Sequence, residues 1–290
     1  MSVQPLSPSA KAEVLIEALP YIKRFAEKIV VVKYGGNVLS NTDEREALKV
    51  FAEDIVMMRS VGIRLVVVHG GGPQIAEMLT KLNITSEFRG GLRVTDAATL
   101  DVARMVLVGK VNRDMVSAIN VHGALAVGMS GEDANLLQVT PRDPVLGFVG
   151  DVERVNAELL KRLMADELIP VIATIGTDSA GQAYNVNADT AAGAIAGAIG
   201  AEKLVYLTNI EGLRRDLKDP STLIRSIRVD ELQSMLDTGV LTEGMIPKIE
   251  SCIHAVRAGV GKAHILDGRS PHALLLEVFT QEGIGTEVTL

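Results

Sequence analysis

Two glycine clusters at the ends of aliphatic runs are the first features of this sequence that can do chemistry. His69-Gly70-Gly71-Gly72-Pro73 lies between the run IRLVVV (residues 63–68) and the helical pattern PQIAEMLTKL. Three consecutive glycines let the chain turn sharply and bring backbone N–H groups against a ligand, and Pro73 suits a first helical position, where its missing donor costs nothing. The helix N-terminus behind the turn carries partial positive charge, which makes the segment a natural anion site. A tight structural turn would account for one glycine; three in a row at a strand-to-helix switch favour the anion. Lys33-Tyr34-Gly35-Gly36 closes the run KIVVVKY (residues 28–34). Standing alone it reads equally as a solvated lysine at a strand end. Its weight comes from the parallel with the triple glycine, because both turns then reach the sheet edge at which open α/β sheets bind ligands.

Three further segments add to the inventory. FRGGLRVTD (residues 88–96) puts Arg93 in a loop, where its planar fork can clamp a carboxylate. Asn185, Asn187 and Asp189 stand just before the alanine-rich stretch that runs to residue 201, and simple N-capping by Asp189 is the plainer reading there. LTEGMIPKIESCIHA (residues 241–255) presents Lys248 directly after Pro247 at a helix start. Each has a bland explanation singly. Together they supply two lysines, an arginine, two glycine turns and an Asx group, with no catalytic Ser–His pair or metal cluster. That set suits phosphoryl transfer, in which catalysis is mostly positioning and charge stabilisation. The familiar nucleotide signatures are missing: Gly259-Val260-Gly261-Lys262 runs into Ala263 and lacks the Walker spacing, and no G-x-G-x-x-G follows a strand pattern. Neither H-E-x-x-H nor G-x-S-x-G occurs, which weakens metalloprotease and α/β-hydrolase readings.

The elements that must position these residues alternate along the chain. Strand patterns cover residues 28–34, 63–68, 125–129, 169–174, 203–208 and 263–266. Helical patterns cover 47–61, 73–81, 97–120, 157–166, 188–200, 229–236 and 248–258, and the polar stretch 132–154 reads as an irregular excursion or hairpin. Such alternation implies crossover units and a largely parallel sheet covered on both faces. The expected fold is an α/β, αβα sandwich whose two lobes meet between Gly147 and Thr190. No linker and no internal repeat interrupts it.

Composition narrows the field. With 290 residues, 47% of them hydrophobic, the chain can bury a core without staples, and its single cysteine, Cys252, rules out an internal disulfide or a cysteine zinc site. The net charge of −7 and the absence of tryptophan give neither a basic field nor a stacking platform, so no nucleic-acid partner is expected. The longest apolar stretch, residues 191–201, is far below the ~20 residues that span a bilayer, so no membrane partner is expected either. The first residues, MSVQPLSPSAKAEVL, lack the pattern of a secretory signal, which together with the lone cysteine sets the expectation of a cytoplasmic protein.

The order KYGG, HGGGP, GLRVT, NVNAD, GMIPK resembles the amino acid kinase family over residues 28–290, and the wording of GLRVT and NVNAD is similar to the members that phosphorylate N-acetyl-L-glutamate. The resemblance implies one domain over residues 1–290: an N-terminal helix (1–28), a lobe for acetylglutamate (about 29–180) and a lobe for ATP (about 181–290). It implies that Lys33 and Lys248 stabilise the transferring phosphoryl group, that Asp189 orients both, and that Gly36 donates a backbone N–H. Gly71 would share that task and, with Gly72, Arg93 and Asn185, hold acetylglutamate, Arg93 taking its α-carboxylate. ATP would lie against Thr208, Asn209 and Gly212 and the loop with Leu241, Thr242 and Gly244. Mg²⁺ would ride in on ATP, with no metal site of the protein's own. The acceptor is already a carboxylate, so no general base is needed and His69 is expected to be structural. Tyr34, where relatives commonly have leucine or phenylalanine, and Pro247 are the departures, and neither touches a named role. Glutamate 5-kinase, aspartokinase, carbamate kinase and uridylate kinase share the glycine turns. The end at Leu290 sets the expectation that no domain of the kind appended to the first two follows, and the arginine of GLRVT disfavours the last. A silent nitrogen or arginine sensor would have no need of both lysines and Asp189.

Residues 9–28 read as an amphipathic helix with Val14, Leu15, Ala18, Leu19, Ile22 and Phe25 on its apolar stripe and a kink at Pro20. That stripe suits either its own core or a second copy of the chain. The resemblance implies the second: a homo-oligomer, a dimer further assembled into a hexamer, with L-arginine as inhibitor. Its expected contacts are Tyr21, Lys203, His264, Glu282 and Gly285, with Glu282 pairing the effector's cationic end.

Overall fold

A computed structural model gives the fold, and it describes residues 7–36, 44–216, 219–239, 241, 245–280 and 283–290. The chain opens with helix α1 (Pro8–Phe25), whose N-cap Ser7 accepts from the Ala10 N–H at 3.2 Å. Strand β1 (Ile29–Tyr34), helix α2 (Glu44–Ser60), strand β2 (Arg64–His69) and helix α3 (Gly72–Lys81) follow. A short hairpin, β3 (Phe88–Arg89) and β4 (Leu92–Arg93), precedes helices α4 (Ala97–Arg104) and α5 (Asn112–Asn120). Next come β5 (Ala126–Ser130), β6 (Leu137–Pro141), β7 (Val149–Val155), α6 (Ala157–Ala165), β8 (Ile169–Ala173), β9 (Ile175–Thr177) and β10 (Ala183–Val186). The remainder comprises α7 (Ala188–Ile199), β11 (Lys203–Thr208), β12 (Ser226–Arg228), α8 (Val229–Asp237), α9 (Ile246–Arg257), β13 (Lys262–Asp267), α10 (Ala273–Phe279) and β14 (Thr286–Thr289).

Eight strands form the central sheet in the order β12-β14-β13-β11-β1-β2-β8-β5. β1 pairs in parallel with β2 on one side and β11 on the other. Strands from before residue 174 therefore lie on one side of β1 and strands from after residue 202 on the other. The order of connection reverses there, which opens a crevice at the carboxyl ends of β1, β2 and β11. Because both faces are covered by helices, the central strands are continuous aliphatic runs rather than alternating ones. Side chains still point alternately to the two faces. Val30, Val32 and Tyr34 pack into the core under α2 and α5, and Val31 into the core under α7 and α9. Lys33 shares the parity of Val31 and so faces α7 and α9.

The α/β, largely parallel architecture matches the sequence expectation, and several details differ. The helical pattern read over residues 97–120 is interrupted by a π-helical segment, Met105–Val111, between α4 and α5. The stretch 132–154 does contain a hairpin, β6 against β7, but it closes with β9 and β10 into a small four-stranded sheet that the sequence pattern did not suggest. Strand β14 was not foreseen either; it runs antiparallel to β13. Those strands are only three to seven residues long, too short for a period to register.

Candidate active site

A cavity of about 530 Å³ occupies the crevice where β1, β2 and β11 end. Lys33, Gly36, Gly71, Gly72, Arg93, Asn185, Asp189, Thr208, Asn209 and Lys248 all line it. Residues up to 215 positions apart in the chain are thus brought to one site by the sheet's switch point. Gly212 and Leu241 line an adjoining cavity of about 430 Å³, which shares Asn209, Ile210 and Met245 with the first. Thr242 and Gly244 lie outside the described residues.

The centre of the site is a chain of three charges. Lys33 Nζ stands 2.7 Å from Asp189 Oδ1, and Lys248 Nζ stands 2.9 Å from Asp189 Oδ2, so each carboxylate oxygen takes one ammonium. Both lysines are buried and the Asp189 side chain is nearly so. Burial alone would raise the Asp189 pKa, but the two ammonium groups outweigh it and hold the carboxyl well below its ordinary range. Burial pulls Lys33 below its ordinary value, with Asp189 opposing and Lys248 reinforcing the shift. Each charge is delivered by a different device. Lys33 is set by strand parity. Asp189 sits in the first turn of α7, but the cap there is Asn187, whose Oδ1 accepts from the N–H groups of Asp189 and Thr190 at 2.9 and 3.1 Å. The capping role read for Asp189 thus falls to its neighbour, and the Asp189 carboxylate is left to the lysines. Lys248 lies in the first turn of α9 behind Pro247, where the helix dipole disfavours a cation and Asp189 offsets it.

Two residues that the sequence reading did not single out hold this trio. Ser251 Oγ donates to the Asp189 carbonyl at 2.6 Å, and Tyr206 OH lies 2.5 Å from the same Ser251 Oγ. The Lys248 ammonium stands 5.3 Å from the centre of the Tyr206 ring. Their signal was present but weak: Ser251 follows Lys248 by three positions and so shares its helix face, and Tyr206 pairs in register with Lys33.

The glycine turns press close. A Cβ on Gly36 would lie 2.9 Å from Pro73 Cδ, and one on Gly71 would lie 2.7 Å from Leu107 Cδ2, so these positions exclude side chains by contact. Arg93 is buried, donates from Nη2 to the Gly72 carbonyl at 3.0 Å, bonds Ser86 Oγ through Nη1, and stacks over Phe88 at 4.6 Å. Thr95, which the reading passed over within GLRVT, links two of the named residues. Its Oγ1 donates to the Arg93 carbonyl at 2.9 Å and accepts from Asn185 Nδ2 at 3.3 Å. The cavity lining described carries three cations, Lys33, Arg93 and Lys248, against the single carboxylate of Asp189. A site so charged, lined by glycine N–H groups, binds anions and can stabilise charge that moves between them.

A second cavity, of about 300 Å³, lies between α1 and the far half of the sheet. Tyr21, Lys203 and Gly285 line it. His264 does not; it is buried behind the cavity with Nδ1 2.6 Å from Glu277 Oε1. Glu282 is outside the described residues, and the carboxylates that do line the cavity are Glu277 and Glu287. Both were missed because they sit in α10 and β14, two elements the periodicity did not show.

Comparison with known proteins identifies the family. A family model described as the amino acid kinase family matches residues 28–267. An acetylglutamate kinase of Beutenbergia cavernae is 53% identical over 292 residues, covering 98% of this chain and 92% of that protein. One of Trichormus variabilis is 49% identical over 281 residues, covering 97% and 94%. Among solved structures, N-acetylglutamate synthase of Neisseria gonorrhoeae superposes with a TM-score of 0.84 and 27% identity in its complex with coenzyme A and N-acetyl-glutamate. In the complex with coenzyme A and L-arginine the values are 0.81 and 28%. These superpositions cover 96% of this chain but 63% and 65% of the synthase, which extends well beyond it. With the family model and both kinases spanning the lysine–aspartate–lysine centre and the two glycine turns, the chain belongs to the amino acid kinase family.

Proposed function

We propose that the protein transfers the γ-phosphoryl group of ATP to the side-chain carboxylate of N-acetyl-L-glutamate, giving ADP and N-acetyl-L-glutamyl 5-phosphate, a step of arginine biosynthesis carried out in the cytoplasm. The observation that carries this reading is the buried Lys33–Asp189–Lys248 chain beside two glycine turns and the Arg93 guanidinium. A carboxylate oxygen of the acceptor attacks the γ-phosphorus while the bond to the β,γ-bridging oxygen breaks, and that oxygen leaves with its electron pair on ADP. Lys33 and Lys248 stabilise the charge on the oxygens of the transferring group, and the N–H groups of Gly36 and Gly71 donate to the same oxygens. Asp189 keeps two like charges side by side without being consumed. Arg93 takes the α-carboxylate, with Gly72 and Asn185 completing the acceptor site. The attacking group is already ionised, so no general base enters.

ATP runs from the main cavity, at Thr208 and Asn209, into the adjoining one, at Gly212 and Leu241, with the loop of Thr242 and Gly244 as further expected contacts. Among the described residues no group of three His, Cys, Asp or Glu side chains could hold a metal ion, and Asp189 is already shared by two ammonium groups. Magnesium would enter as part of Mg–ATP, held by phosphate oxygens and water. We assign residues from about 29 to about 180 to the acceptor lobe and those from about 181 to the nucleotide lobe, with α1 ahead of both; β10 (Ala183–Val186) crosses that boundary, since it pairs with β7 and β9. An ADP-release assay across acetylglutamate, glutamate, aspartate, carbamate and UMP tests the reading. Turnover is expected with acetylglutamate; a preference for any other acceptor would overturn it.

We further propose L-arginine as a feedback inhibitor in the second cavity, with its cationic end on the carboxylates of Glu277 and Glu287 and with Tyr21, Lys203 and Gly285 around it. Glu282, the partner expected from sequence, is left as an additional contact, and His264 acts through Glu277. The arginine held by the Neisseria synthase supports the choice of ligand for a related fold. Arginine can inhibit only by binding one lobe arrangement better than the other, a more open one. Helix α1 exposes Val14, Leu15, Ile16 and Leu19 while Phe25 is buried in its own core, so its last turn anchors the helix and its middle turns present an apolar face. That face supports assembly of dimers into a hexamer.

A further inference from the structure

We infer that His69 and Asn112 are positioning residues that aim the Gly71 N–H into the active-site cavity. The inference rests on the reading in which that N–H acts on the transferring phosphoryl group. It starts from a carbonyl. Asn112 Nδ2 lies 2.8 Å from the Val171 oxygen, which can only accept, so this atom is the amide nitrogen and donates. The same Nδ2 lies 3.0 Å from His69 Nε2, which must then be the accepting nitrogen of a neutral ring. The ring proton is on Nδ1, 3.0 Å from the Gly70 carbonyl, and donates to it.

Peptide geometry carries the rest. The described chain contains no cis peptide bond. In a trans unit the C=O of one residue and the N–H of the next point in opposite directions. Drawing the Gly70 carbonyl inward to the imidazole therefore turns the Gly71 N–H outward, to the cavity that Gly71 lines. That N–H has no backbone partner among the described residues, whereas the Gly71 carbonyl accepts from Ile75 at 2.8 Å as the first bond of α3. His69 and Asn112 are both fully buried. Burial pushes the His69 pKa down to about 4, which keeps the ring in the neutral, accepting form.

The π-helical segment serves the same turn. Leu107 and Val111 fill the space a Cβ on Gly71 would need, and Asn112 follows directly at the start of α5. One interruption of the α-helical register thus supplies both the floor of the turn and the amide that sets the imidazole tautomer. π-helical turns are rare and gather at functional sites.

The test compares near-isosteric variants by steady-state kinetics and thermal denaturation, with the wild-type enzyme as reference on its best acceptor. His69→Asn places an amide N–H where Nδ1–H stood and should keep kcat within about threefold. His69→Phe removes the donor and should lower kcat by about tenfold or more, while KM for both substrates changes by less than about threefold, because a misaimed donor is missed mainly in the transition state. Asn112→Asp cannot donate to Nε2, moves the ring proton there and turns a lone pair on the Gly70 carbonyl. It should cost kcat as His69→Phe does in the wild-type background and add little to His69→Asn. Full kcat in His69→Phe, equal losses in His69→Asn and His69→Phe, or an Asn112→Asp loss of the same size on both backgrounds would each overturn the inference. If His69→Phe fails to fold, the Asn112→Asp comparison on the two backgrounds decides alone. Activity of the wild type on another acceptor would refute the proposed substrate and leave this comparison intact.

Discussion

At the scale of the residue, the site depends on charges that are buried but never alone. Lys33 and Lys248 each hold one oxygen of Asp189, an arrangement that fixes two ammonium groups in position before any phosphate arrives. Such preorganised charge acts on the transition state without further reorganisation. Lys33→Ala or Lys248→Ala should therefore lower kcat by about 10²-fold or more, with smaller changes in KM, read by steady-state ADP release. Wild-type turnover in both variants would remove the charge-stabilising role. Arg93 is a different case, because its guanidinium is already held by Gly72, Ser86 and Phe88 while the residue lines the cavity. Arg93→Lys keeps the charge and loses the fork. KM for acetylglutamate should rise about tenfold or more while KM for ATP stays within about twofold; a collapse of ATP affinity would reverse the assignment of the lobes.

At the scale of the element, chemistry is delivered by ends and interruptions of regular structure: the carboxyl ends of β1 and β2, the first turns of α7 and α9, and the π-helical segment. Gly71 shows how tightly they meet. A methyl group there would stand 2.7 Å from Leu107 Cδ2 and 3.2 Å from Val111 Cγ2, whereas one on Gly72 would have nothing within 4 Å. Overpacking of this kind costs about 1–3 kcal/mol. Gly71→Ala should accordingly lower the melting temperature by several degrees and kcat by about tenfold or more, while Gly72→Ala leaves the melting temperature nearly unchanged. Equal melting temperatures for the two variants would show that the π-helical segment yields freely and does not define the turn.

At the scale of the whole molecule, stability and assembly give two further expectations. His69 is fully buried with its pKa pushed down to about 4, against about 6.5 in the unfolded chain. The unfolded state binds the extra proton first, so stability from this group is complete above about pH 6.5 and is lost as the pH falls towards 4. Across that window the wild type should lose about 3 kcal/mol more than His69→Asn, whose side chain does not titrate, as measured by denaturant unfolding. Parallel pH curves would contradict a neutral buried imidazole. Helix α1 joins the two proposals about regulation, because Tyr21 lines the second cavity while exposed Val14, Leu15, Ile16 and Leu19 precede it in the same helix. Deleting residues 1–26 should abolish inhibition by arginine and reduce the particle to a dimer, measured by light scattering, while kinase turnover persists. A truncated enzyme that remained hexameric would leave α1 with a purely structural part.

By itself the sequence determined the parallel α/β class, the two glycine turns and the candidates Lys33, Arg93, Asn185, Asp189 and Lys248. Those signals are local: an aliphatic run buried on both faces, three glycines before a proline, a lysine at a helix start. Tertiary structure alone decided what is not local. Which of Asn187 and Asp189 caps α7 depends on two lysines that arrive from β1 and α9, since a carboxylate caught between two ammonium groups is not free to cap. The register of the helix over residues 97–120 depends on Gly71, against which Leu107 and Val111 must fit. The carboxylates of the second cavity sit on α10 and β14, short elements whose order comes from pairing with β13 and packing beneath it rather than from any period of their own. The tautomer of His69 depends on a carbonyl of Val171, 102 residues away in sequence. Such partners are fixed by the switch in strand order at β1, and a contact of that span leaves no trace in the spacing of the residues that make it.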